Sequence, residues 1–90
     1  MALVAITLKI MPSSPDVDLE KLREEVKVKV EYLGGSFHHH EEQPIAFGLK
    51  ALMCVIGWNE EKDPDMIETE LAKLEGVNSV QITDVRRAIG

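Results

Sequence analysis

His38-His39-His40 is the densest set of metal-ligating side chains in this sequence, and Glu41-Glu42 follow it directly. In an extended segment His38 and His40 share one face while His39 points the other way. Zinc needs three or four converging ligands and a second shell to orient them. No other histidine and only one cysteine exist to complete such a set. The expectation is a solvated edge strand with no physiological metal. That cysteine, Cys54, lies in an apolar run, so neither an intramolecular disulfide nor a Cys-x-x-Cys site can form. A thiol in such surroundings acts as a small hydrophobe, since a nucleophile needs a basic neighbour and access. Ser13, Ser14, Ser36 and Ser79 sit in no nucleophile elbow, and the glycines form neither a phosphate loop nor a dinucleotide fingerprint. Glu41-Glu42 and Glu60-Glu61 read as solvated charge. Covalent catalysis finds no residue set, and no cofactor is expected.

Two features fit recognition better than catalysis. Arg86-Arg87 is the one concentrated cation pair, and on a strand the two side chains point to opposite faces. It is either an exposed strand end or a contact for an anion or a partner. Pro44-Ile45-Ala46-Phe47-Gly48 carries no charge and little polar turn chemistry, although its place in the chain is that of a loop. An apolar loop is either tucked into its own core or a docking surface. A rigidly held aromatic is the kind of anchor whose truncation costs a complex about 2 kcal/mol or more.

The whole chain bounds these readings. Ninety residues make one small domain, over 1–90, and 44% hydrophobic content suits a globular core. Ten Lys and Arg against sixteen Asp and Glu leave a net charge of −6, which argues against general nucleic-acid binding and suits a partner with a basic surface. The opening Met1-Ala-Leu-Val-Ala-Ile-Thr-Leu-Lys9 lacks a basic n-region and is far shorter than the ~20 apolar residues of a membrane span. With a single cysteine, the compartment expected is a reducing one, the cytoplasm.

The elements that must position these residues follow from periodicity. Val4, Ile6, Leu8 and Ile10 alternate as one face of a first strand, which Pro12-Ser13-Ser14-Pro15 ends. Leu19, Leu22, Val26, Val30 and Leu33 recur at spacings of three and four as the stripe of a helix, with Asp16 or Asp18 as N-cap and Gly34-Gly35 as stop. Ser36 to Glu42 predicts a polar edge strand, Gln43 to Gly48 a loop, and the apolar run Leu49 to Trp58 a central strand. Asp63 as N-cap and Pro64 at the first helical position open a second helix with Ile67, Leu71 and Leu74 inward, and Gly76 stops it. Val77 to Ile89 closes the chain as a strand. The order strand, helix, strand, strand, helix, strand is the split β-α-β arrangement of α+β ferredoxin-like folds: a four-stranded antiparallel sheet with two helices on one face. The first and third strands, as the most apolar, are expected at its centre.

Pro44-Ile45-Ala46-Phe47-Gly48-Leu49 followed by Ala51-Leu52 resembles the signature of the translation elongation factor 1 beta family. Ile10-Met11-Pro12, Ser14-Pro15-Asp16-Val17-Asp18-Leu19 and Val80-Gln81-Ile82-Thr83-Asp84-Val85-Arg86-Arg87 resemble its archaeal branch, in order and over nearly the whole chain. The resemblance implies a guanine-nucleotide exchange factor with a ferredoxin-like exchange domain and no covalent chemistry. Its implied partner is the GTPase that delivers aminoacyl-tRNA to the ribosome, elongation factor 1 alpha, bound in its GDP or nucleotide-free state. It also implies Pro44, Ile45, Ala46, Phe47 and Gly48 as partner contacts, with Phe47 entering an apolar cleft and Lys50 assisting. Eukaryotic members carry a lysine near their end that intrudes on the partner's Mg²⁺ site. This sequence has no lysine after Lys73, so Arg86 and Arg87 are the cations available for an electrostatic contact there. The alternative is a ferredoxin-like regulatory or metal-carrying module, but a metal carrier of this shape would want paired cysteines in the first loop, where Pro12-Ser13-Ser14-Pro15 stands.

Overall fold

The computed structural model describes residues 3–87. Strand β1 (Leu3–Pro12) is followed by helix α1 (Leu19–Tyr32), strands β2 (Ser36–Pro44) and β3 (Lys50–Asn59), helix α2 (Asp65–Leu71) and strand β4 (Val77–Arg87). The four strands form one antiparallel sheet in the order β2-β3-β1-β4. This is the expected ferredoxin-like α+β arrangement, with the two most apolar strands in the middle.

The alternation in β1 decides what is buried. Val4, Ile6, Leu8 and Ile10 pair across the sheet with Trp58, Ile56, Cys54 and Leu52 of β3, and all eight are buried. Leu22, Val26 and Val30 of α1 and Ile67 and Leu71 of α2 close over them. Val80 and Ile82 of β4 extend this core at its border. Trp58, one of the largest of these side chains, is fully buried; its Nε1–H meets no acceptor among the described residues. Packing of the ring must offset that lost hydrogen bond, a cost of about 1–3 kcal/mol. Lys62 donates to the Leu33 carbonyl at the end of α1 and stands 5.4 Å from the Trp58 ring centroid, so one ammonium fastens the helix end to this corner. Gly35 makes the return from α1 to the sheet close: a Cβ there would lie 2.8 Å from the Gly57 carbonyl oxygen and 2.9 Å from Trp58.

Asp18, not Asp16, caps α1. Its Oδ1 accepts from the N–H groups of Glu20 and Lys21 at 3.0 and 3.3 Å. Three element boundaries differ from expectation: the end of β2, the start of α2, and the end of α2, which stops at Leu71 so that Leu74 and Gly76 lie beyond the helix. β2 runs on through Pro44, because Gln43 and Pro44 pair with Ala51 and Lys50; the loop shrinks to Ile45–Leu49. Proline is admissible there because β2 is an edge strand and the missing N–H can face solvent. In α2, Pro64 stands at the cap and Asp63 one residue before it, where Asp63 Oδ1 accepts from the Asp65 N–H at 2.9 Å. The Asp63 carbonyl accepts from Met66, a tighter first turn that moves the start by one residue. Of the closing strand, Val77–Arg87 is ordered as expected, while Ala88 and Ile89 lie outside the described residues.

Burial pushes the Cys54 thiol up to about 12, because its anion would lose hydration inside the core, and the Arg23 charge offsets this only in part. A raised acid stabilises the fold below the thiol's ordinary range, and that contribution is lost as pH rises toward 12. Ellman's reagent at pH 8 is therefore expected to leave native protein essentially unlabelled and to titrate one thiol at once in urea. Rapid labelling of native protein would show Cys54 to be accessible.

Candidate functional site

The uncharged loop is not tucked into the core. Phe47 is 94% exposed at the tip of the β2–β3 hairpin, and Ile45 is partly exposed beside it. The Ile45 N–H donates to the Leu49 carbonyl at 2.8 Å, and the Leu49 N–H to that of Ala46 at 3.2 Å, which closes a compact turn. Within it Phe47 has φ +61° and Gly48 φ +75°. For Gly48 this is unstrained, and a Cβ there would meet nothing within 4 Å, so the backbone angle alone favours glycine. For a bulky residue a left-handed angle costs on the order of 1 kcal/mol. Phe47 thus accepts local strain to hold a bare aromatic ring in solvent and gains no burial in return. Lys50 begins β3 just behind the loop and faces Glu42 at 3.8 Å. Between this hairpin and the β1–α1 loop lies an open groove of about 460 Å³, bordered by Asp18, Glu20, Glu42 and Lys50.

Arg86 and Arg87 lie at the other end of the sheet. Val4 pairs with both Trp58 and Arg87, whereas the loop adjoins Lys50. Eight residue steps along β3 lead from Lys50 to Trp58, roughly 26 Å at 3.3 Å per residue, and the domain is 41 Å along its longest axis. The expected contact residues therefore form two clusters. Pro44, Ile45, Ala46, Phe47, Gly48 and Lys50 are together at one end, and Arg86 and Arg87 at the opposite one. Arg86 pairs with Asp84 at 2.8 Å and Arg87 with Glu60 at 3.6 Å. Both arginines are exposed, and such pairs hold a side chain by less than about 1 kcal/mol, so a partner can recruit either guanidinium. Alternation along β4 sets them on opposite faces as expected: Arg86 is level with Ala5 on the open face, and Arg87 with Val4 on the helix-covered face.

The histidines are arranged differently from expectation. Phe37 pairs with Ile56 and His39 with Val55, so His38 is the extra residue of a bulge. His38 then lies beside Gly57 on the open face, its Nε2 2.8 Å from Ser36 Oγ. His39 is level with Val55 on that same face, and His40, level with Cys54, turns to the other face near the Phe37 ring. The shared face of His38 and His40 is thereby corrected: one inserted residue reverses the alternation after it. Among the described residues, no group of three His, Cys, Asp or Glu side chains is placed to hold a metal ion. The sequence carries no signal for the bulge, and the positive φ of Phe47 is hinted at only by the glycine that follows.

Residues 5–88 match the family described as the EF-1 guanine nucleotide exchange domain. This chain belongs to that family. It is 45% identical to elongation factor 1-beta of Methanothermobacter thermautotrophicus over 86 residues, covering 93% of this chain and 94% of the relative. It is 48% identical to elongation factor 1-beta of Methanobrevibacter smithii over 88 residues, covering 97% and 98%. As an exchange domain of this family it acts on the elongation GTPase, and the regulatory or metal-carrying alternative is not favoured. Among solved structures, the chain described as BlrP1 BLUF superposes with a TM-score of 0.62 at 17% identity, over all of this chain and 57% of that one, a likeness of fold alone.

Because the Phe47 ring packs against nothing, Phe47→Ala should shift the urea-unfolding free energy of the exchange domain by less than about 0.5 kcal/mol. A loss of 3 kcal/mol or more, the usual penalty for truncating a core aromatic, would return the ring to a structural role.

Proposed function

We propose that this chain accelerates exchange of GDP for GTP by gripping elongation factor 1 alpha, in its GDP-bound or nucleotide-free state, with both ends of the sheet. The observation that carries this reading is Phe47: an aromatic with a left-handed backbone and almost complete exposure is worth its strain only if something else buries it. The ring enters an apolar cleft of the GTPase, with Pro44, Ile45, Ala46 and Gly48 shaping the tip and Lys50 beside it. Arg86 and Arg87 make a second, electrostatic contact about 26 Å away along the strand direction.

No proton transfer or covalent step is needed. A GTPase holds its nucleotide through Mg²⁺, a lysine and backbone amides, with switch segments ordered around the phosphates. A protein that binds the nucleotide-free form more tightly weakens nucleotide binding by the same factor that the nucleotide weakens its own. Surface complementarity suffices for that, and release speeds up when the barrier falls with it. The net charge of −6 supports a protein partner over nucleic acid or an anionic membrane surface. The single domain, the lone buried cysteine and the partner in translation fit a cytoplasmic protein. No helix among the described residues is long and apolar enough to cross a membrane.

Release of a fluorescent GDP from the cognate GTPase, with this chain at substoichiometric concentration, tests the reading. Strong acceleration with turnover is expected. Phe47→Ala should weaken the productive complex by about 30-fold, the equivalent of about 2 kcal/mol. Arg86→Ala and Arg87→Ala should each slow association several-fold and flatten its dependence on ionic strength. Full activity in the Phe47 variant would remove the loop from the interface, and full activity in both arginine variants would remove the second contact.

A further inference from the structure

The β3–α2 turn joins the arginine end of the sheet to the helix layer. Two hydrogen bonds close it: the Asn59 carbonyl accepts from the Lys62 N–H at 2.9 Å, and Asn59 Oδ1 accepts from the Glu61 N–H at 2.9 Å. Glu60 stands second in this turn, and its Oε2 lies 3.6 Å from Arg87 Nη2. The sequence reads Glu60 as solvated charge, but its side chain is only 35% exposed, against 79% for Arg87. The carboxylate is therefore the better fixed member of the pair, and the guanidinium is the one it steadies. The side chain of Lys62 leaves the turn in the other direction. Its Nζ donates to the Leu33 carbonyl at the end of α1 and stands over the Trp58 ring. Gly34 keeps room for the ammonium, since a Cβ there would lie 2.7 Å from Nζ. The last carbonyls of an exposed helix end can be met by water, so capping alone does not require a lysine from 29 residues away. What the contact adds is a tie between turn, sheet and helix.

We propose that Lys62 is a positioning residue for exchange: by tying the β3–α2 turn to α1 it sets Glu60, and through Glu60 the direction in which Arg87 meets the GTPase. The inference rests on the reading of Arg87 as a partner contact. Lys62 itself stays engaged with α1 and the Trp58 ring and makes no contact with the partner. The arrangement supplies aim and not strength. An exposed ion pair is readily exchanged, so the partner still recruits the guanidinium from Glu60. A side chain that is already confined loses less freedom on binding, and the complex gains by the difference. Arg86 has its own support in Asp84, at 2.8 Å on the same strand, so only Arg87 depends on the turn.

Release of a fluorescent GDP, followed across a range of cognate GTPase concentrations with the full chain at substoichiometric level, tests this. Lys62→Met keeps the aliphatic stem and loses the ammonium. It should raise KM for the GTPase about threefold, no more than Arg87→Ala does, with kcat and circular dichroism unchanged. Lys62→Arg, which keeps a donor and the charge, should restore KM. Glu60→Ala should also raise KM although it removes a negative charge; charge steering toward an anionic site on the partner would lower KM instead. In an Arg87→Ala background neither Lys62→Met nor Glu60→Ala should change KM further, because nothing remains to be aimed. An equal rise for Lys62→Met with and without Arg87 would mean that the lysine acts on the partner directly, and would overturn the inference. Unchanged KM in Lys62→Met and Glu60→Ala, beside a raised one in Arg87→Ala, would overturn it as well while leaving the two-ended grip in place. Full activity in Arg87→Ala would remove that arginine from the interface and the inference with it.

Discussion

The register of β1 against β3 is the constraint on which the rest depends. Ile6 opposite Ile56, Leu8 opposite Cys54 and Ile10 opposite Leu52 place two alternating apolar rows on one face. A slip by one residue would turn every one of them to the other side. Two helices can then cover only that face, and their stripes at Leu22, Val26, Val30, Ile67 and Leu71 match it. The open face keeps the intervening positions, Thr7 and Lys9 of β1 with Met53 and Val55 of β3, which are only partly buried.

This constraint also separates the two candidate contact clusters. Once β1 and β3 form the antiparallel centre, the β2–β3 hairpin must project from one end of the sheet and the C-terminal end of β4 from the other. A rigid sheet between them holds the spacing at roughly eight residues of strand. Under the proposed two-ended grip, such a stiff ruler would penalise partner conformations that do not match its length. Among the described residues no charged side chain is buried in the core, and its one unpaired buried side-chain polar atom is Trp58 Nε1.

Two local irregularities depart from that frame. The left-handed backbone at Phe47 keeps a large apolar ring in water, a local cost that no packing within the domain offsets. The bulge at His38 bends an edge strand already guarded by Glu41, Glu42 and a terminal proline, so the β2 edge resists pairing with another chain. The helix layer is less guarded. Val28 and Tyr32 leave an exposed apolar strip there.

Much was legible in the sequence. Strict alternation in Val4, Ile6, Leu8 and Ile10, the three-and-four spacing of Leu22, Val26 and Val30, and the glycine stops determined the element order, the central strands and the inward faces, because burial acts on each residue through local periodicity. The uncharged 44–48 segment and the paired arginines stood out in the sequence, which left open whether the loop was tucked into the core or a docking surface and whether the arginines were a strand end or a contact. Tertiary structure alone decided where those groups lie. The extension of β2 through Pro44 and the reversal of the histidine faces arise from pairing with β3 and its register, and the backbone angle of Phe47 arises in the turn that this pairing closes. The separation of Phe47 from the arginines likewise follows from strand direction and pairing, which are long-range contacts that composition and local spacing do not encode.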